Sequence, residues 1–119
     1  MSRKYHLSYD AIDFHSDFDG NYNEAKRYLM CVLANTGYLN IFSYCESTFI
    51  IEYLEIQPKL FAYLRQNIEK YFYYSISLVA VNETDHYIGH NRHISHALNS
   101  QSEVKNLVCD NLKKDITTY

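Results

Sequence analysis

Between residues 4 and 81 the hydrophobic residues change period four times, and the order of those changes limits the folds open to this chain. Lys4 to Asp10 alternates: Tyr5, Leu7 and Tyr9 point one way, His6, Ser8 and Asp10 the other, as in a half-buried strand. The period then lengthens to that of a helix. Asn21 is placed to cap it with Glu24 three residues on, and Ala25, Tyr28, Leu29, Val32 and Leu33 form one apolar stripe. Gly37 is placed to end it in a left-handed cap. Tyr38 to Cys45 and Thr48 to Glu55 return to period two, separated by the short polar break Glu46-Ser47, which predicts an antiparallel hairpin. Pro58 suits the first position of a second helix carrying Leu60, Phe61, Leu64, Ile68 and Tyr71, and Tyr73 to Val81 reads as a fourth strand.

The order β-α-β-β-α-β predicts an α+β domain of the ferredoxin-like kind over residues 1–81: an antiparallel four-stranded sheet with both helices on one face. Residues 12–21 read as an acidic loop. Residues 82–119 form a second region. Asn82 to Asn99 is a polar, histidine-rich connector, and Ser100-x-x-Glu103 resembles a capping box opening a C-terminal helix with Val104, Leu107, Val108 and Leu112 on one face.

Composition removes several function classes. At 119 residues and 14.1 kDa the chain has room for a single core, and 47% hydrophobic with 21% charged residues excludes a disordered chain. A net charge of −3 argues against coating nucleic acid by bulk positive charge. No apolar run approaches the ~20 residues of a membrane helix, and no apolar stretch follows the basic start as in a signal peptide. The three cysteines, Cys31, Cys45 and Cys109, are an odd number without a Cys-x-x-Cys pair. Cys31 and Cys45 lie in apolar segments, so the expectation is buried thiols in a reduced, cytoplasmic protein.

The outlying figure is 13 tyrosines. Tyr28 and Tyr71 fall on helical stripes and are expected in the core, while Tyr9, Tyr44, Tyr53 and Tyr73 are candidates for an interface on the sheet face opposite the helices. His86, His90, His93 and His96 stand four, three and three residues apart. On a helix that spacing would bring imidazoles such as His90 and His93 within reach of a transition metal, or let the segment turn positive on mild acidification. The loop Asp17-Phe18-Asp19-Gly20-Asn21 fails as a calcium loop, because His15 and Lys26 stand at its first and twelfth positions. The sequence also argues against an RNA-recognition strand, since Thr48 to Tyr53 lacks the glycine and the basic residue of that motif.

A first strand ending Tyr9-Asp10, a loop, a helix and the hairpin Phe42-Ser43-Tyr44-Cys45-Glu46-Ser47-Thr48-Phe49 resemble the small ferredoxin-like nuclease superfamily. That superfamily includes CRISPR adaptation nuclease-like proteins, VapD-type toxin ribonucleases, the GhoS-type antitoxin and SinR-like proteins. The resemblance covers residues 4–81. It implies a homodimer packed through its sheets, with Asp10 as the catalytic residue holding Mg²⁺ or Mn²⁺ at the dimer seam for endonuclease action on RNA or DNA. Two symmetry-related carboxylates sharing a hard cation would activate water and stabilise a phosphodiester in transit. The alternative is a non-catalytic regulator, such as an antitoxin, a phage-type inhibitor of the anti-CRISPR kind or an adaptor, which grips a nucleic-acid-handling protein through a tyrosine-rich sheet face.

Overall fold

The structure, a computed structural model, describes residues 2–79 and 94–119. Its elements run β1 (Arg3–Ala11), α1 (Phe14–Asp17), α2 (Tyr22–Ala34), β2 (Asn40–Phe42), β3 (Thr48–Tyr53), α3 (Leu60–Ile68), β4 (Phe72–Leu78) and α4 (Ile94–Lys105). The chain is α+β. Among the described residues four strands form one antiparallel sheet in the order β2-β3-β1-β4, with Tyr5 opposite Ile51 on β3 and Leu78 on β4.

The period-two residues Tyr5, Leu7 and Tyr9 of β1, with Phe49, Ile51 and Tyr53 of β3, are buried on one face. They join Ala25, Tyr28, Leu29, Val32 and Leu33 of α2 and Leu60, Tyr63, Leu64 and Ile68 of α3 in a single core. Helix ends follow local chemistry. The Asn21 side chain accepts from the Glu24 amide at 3.2 Å, and Gly37 takes φ +70° just beyond α2, the left-handed turn its lack of a Cβ permits.

Three buried phenols find partners under the helices. Tyr28 Oη donates to the Asn67 carbonyl at 2.6 Å, Tyr63 Oη donates to the Val32 carbonyl at 2.7 Å, and Tyr53 Oη bonds Thr36 Oγ1 at 2.7 Å. Each bond removes the penalty for a polar atom under the helices, and together they tie α2 to α3 and to β3.

Several local expectations are corrected. The acidic loop contains α1, capped by Asp13, and it delivers Phe18 into the core at 1% exposure. Burial of that ring stabilises by about 2–3 kcal/mol, more than a solvated turn supplies. β2 spans three residues rather than eight. α3 begins at Leu60 with Pro58 in the preceding turn, and it ends before Tyr71, which packs edge-on against Tyr28 at 5.7 Å.

The capping-box reading of Ser100 and Glu103 fails. Both lie inside α4, where Ser100 is buried and Glu103 pairs with Lys26 of α2 at 2.9 Å. Leu107 and Leu112 lie beyond α4 in a non-helical tail and still reach the core with Ile116 and Tyr119. Residues after Lys105 therefore pack on the domain instead of forming a helix of their own.

The cysteine reading is overturned. Cys31 and Cys109 form a disulfide with Cα atoms 5.7 Å apart, and Cys45 is an exposed thiol in the β2–β3 turn. The two paired cysteines are 78 residues apart, so linear spacing gave no sign of their meeting.

Candidate functional site

The helices and the tail use one side of the sheet; the other side and one edge are where a partner can bind. The even-numbered positions of β1 (Lys4, His6, Ser8 and Asp10) point away from the core, in register with Glu52, Ile50 and Thr48 of β3 and with Ser77, Ser75 and Tyr73 of β4. Ile50 is the apolar exception at 8% exposure, and it lies between Phe42 of β2 and His6 of β1 in register. The charged strand residues of this face are Lys4 opposite Glu52, and Asp10, one base against two acids.

Asp10 is exposed and lies opposite Tyr73, itself 66% exposed. Among the described residues no group of three or more His, Cys, Asp or Glu side chains is placed to hold a metal ion. A single carboxylate beside hydroxyls is a poor donor set for Mg²⁺ or Mn²⁺, which bind through several oxygens in near-octahedral geometry. Within one chain Asp10 does not complete such a site. His90 and His93, like His86, lie outside the described residues. His96 is half-buried, and its Nε2 meets Ser43 Oγ at 3.0 Å, linking α4 to the end of β2.

The four tyrosines expected on the open face divide. Tyr9 is 5% exposed and stacked on Phe49 at 5.3 Å, and Tyr53 is 1% exposed. Both belong to the odd, helix-facing set of their strands, so neither is available to a partner. Burial raises both phenol pKa values well above the usual phenol range; for Tyr9 the nearby Tyr22, Glu46 and Glu103 push the same way. Tyr44 is half-buried with its ring parallel to Phe42 at 6.2 Å. Tyr73 alone of the four is widely exposed.

The edge strand that carries Tyr73 has a signal in the sequence. Phe72-Tyr-Tyr-Ser-Ile-Ser-Leu78 carries no charge and no proline, the two devices that usually blunt an edge. Backbone bonds show how it is oriented. Ile12 N donates to the Tyr71 carbonyl at 2.9 Å and Val79 N to the Lys4 carbonyl at 2.8 Å, which fixes the alternation in this ladder. Tyr73, Ser75 and Ser77 turn their amides toward β1, while Tyr74 and Ile76 turn theirs outward. Among the described residues β4 pairs on one side only.

No helix among the described residues is long and apolar enough to cross a membrane. Comparisons with protein-family models, with curated proteins and with solved structures return no match.

Proposed function

We propose that this is a ferredoxin-like interaction protein that forms a homodimer by pairing β4 with β4 of a second copy. The observation that carries the reading is the β4 edge: seven uncharged residues with outward amides at Tyr74 and Ile76, and Tyr73 and Leu78 exposed at 66% and 39%. An uncharged strand meets its own copy without like-charge contacts, and a two-fold axis satisfies both edges at once. The strand order β2-β3-β1-β4, with β3 between the parallel pair β1 and β2, supports the ferredoxin-like description. The register that pairs all of Phe72–Leu78 is centred on Ser75 and sets Tyr74 opposite Ile76 of the second copy. The result is one continuous sheet whose open face, with two acids to one base per copy, suits a protein surface better than a phosphate backbone.

Sedimentation velocity tests the reading. The wild-type chain is expected at twice its 14.1 kDa mass, and Ser75→Lys, which sets two ammonium groups face to face at the axis, is expected at the single mass. A wild-type protein that stays monomeric at tens of micromolar contradicts it.

A second reading, the metal-dependent endonuclease, is favoured by one observation, the exposed carboxylate of Asp10 at the end of β1. It needs a different dimer. In an edge-paired sheet two Asp10 residues are separated by three strand spacings, at least ~14 Å, and about 20 Å in the Ser75-centred register. Two aspartate side chains cannot enclose one cation across that gap. Sharing a metal would require the open faces to pack on one another. Cleavage of RNA or DNA with Mg²⁺ or Mn²⁺ that is lost in Asp10→Ala would establish this second reading and remove the edge dimer.

A further inference from the structure

We propose that the Cys31–Cys109 disulfide is a thiol-exchange site, and that its reduction by a dithiol releases residues 106–119 from the helical side of the domain. Cys31 is buried at 1% on α2, whereas Cys109 is exposed and lines a cleft of about 410 Å³ with Asn35, Lys114 and Asp115. One cysteine is thus sheltered and the other is approachable, so an incoming thiolate reaches Cys109 first.

Beyond Cys109 the tail is irregular, with bends at residues 110–111 and 113–114. Leu112, Lys114 and Ile116 are half-buried while Asn111, Lys113 and Asp115 are exposed, and the Lys114 ammonium lies 4.9 Å from the Tyr71 ring centre. The domain grips this segment by its main chain as well as by the side chains of Leu112, Ile116 and Tyr119. Arg27 donates to the carbonyls of Val108, Asp110 and Asn111, and Asn67 accepts from the Thr117 amide at 2.9 Å while donating to Thr117 Oγ1. Contacts of a short segment strengthen when it is kept close, and the disulfide keeps it close.

In the exchange a thiolate of the dithiol attacks Cys109 Sγ. The S–S electron pair leaves on Cys31 Sγ, which takes a proton. The second thiolate of the dithiol then attacks its own sulfur in the mixed disulfide and releases Cys109 as a thiolate, which is protonated in turn. Two electrons and two protons pass from the dithiol, which becomes a disulfide. Release uncovers Asn67, now 3% exposed, together with the Tyr63 ring that Tyr119 covers at 4.9 Å.

The test is residue-resolved amide exchange on the full chain, air-oxidised, with and without dithiothreitol, alongside mass-spectrometric counting of free thiols. Oxidised protein is expected to show one free thiol, Cys45. Reduction is expected to expose three thiols and to speed exchange of the Thr117 amide about tenfold or more, with β1 and β3 changed less than about twofold. Cys109→Ser, altered at an exposed position, is expected to show the fast Thr117 exchange without reductant. Three free thiols in the oxidised protein, or Thr117 protection unchanged by both reduction and Cys109→Ser, would overturn the proposal.

Discussion

The two sides of the sheet solve opposite problems. On the helical side the phenols of Tyr28, Tyr53 and Tyr63 have intramolecular partners, and a disulfide, a guanidinium and a buried amide hold the tail across α2 and α3. On the other side Tyr73, Ser75, Ser77 and Asp10 are exposed, next to a strand whose outward backbone groups meet no other described strand. The contrast separates residues that stabilise the chain from residues that can serve a partner. Changes to the helical side are expected to alter stability, and changes to the open side to alter assembly.

The largest effect that would sharpen this contrast comes from the disulfide. Cys109→Ser opens a cross-link 78 residues apart in sequence and is expected to lower stability by about 4.5 kcal/mol on the chain-entropy relation, measured by urea unfolding without reductant. Alkali comes next. Burial raises the phenol pKa values of Tyr9, Tyr28 and Tyr53, so the folded chain keeps protons that the unfolded chain has lost above about pH 10. Their contribution is therefore complete below pH 10 and declines as the pH rises beyond it. At pH 11 the loss is about 1.4 kcal/mol for each ring, roughly 4 kcal/mol for the three, readable from unfolding curves at both pH values.

Asn67→Ala removes a buried amide that bonds the Tyr63 carbonyl and both polar groups of Thr117, and is expected to cost about 2–3 kcal/mol. By contrast Ser75→Lys, on the open side, is expected to shift the unfolding midpoint of the single chain by less than about 0.5 kcal/mol while dissociating the dimer. A large stability loss there would break the division between the two sides. The smallest effect is on the acid side. Arg27 holds the Glu24 carboxyl below its usual range, so this pair supports the fold above that range and its contribution fades as the pH falls through it, visible as a slight drop in midpoint below about pH 4.

The strand and helix order was legible because it rests on local periodicity. Tyr5, Leu7 and Tyr9 alternate whatever they pack against, and Asn21 with Gly37 marks the ends of α2 within a few residues of each. What local periodicity does not show is set by contacts distant along the chain. Cys31 meets Cys109, Glu103 meets Lys26 and Asn67 meets Thr117, and no window of a dozen residues contains either partner of the other. Tyrosine tolerates half-wet surfaces, which makes Tyr9 and Tyr53 interface candidates by residue type, but their alternation with Asp10 and Glu52 puts them on the buried set. The β4 edge was legible as an uncharged run, but its being an edge depends on β1 pairing with both β3 and β4, which periodicity does not reveal.

The central claim is that β4 pairs with its own copy, and amide exchange at Tyr74 and Ile76 tests it most directly. Ser75 bonds β1 in either case and serves as the internal reference. Edge pairing predicts that the Tyr74 and Ile76 amides approach the protection of Ser75, that this protection grows with protein concentration, and that Ser75→Lys abolishes it. Fast exchange at both positions at every concentration, beside a protected Ser75, would contradict the account.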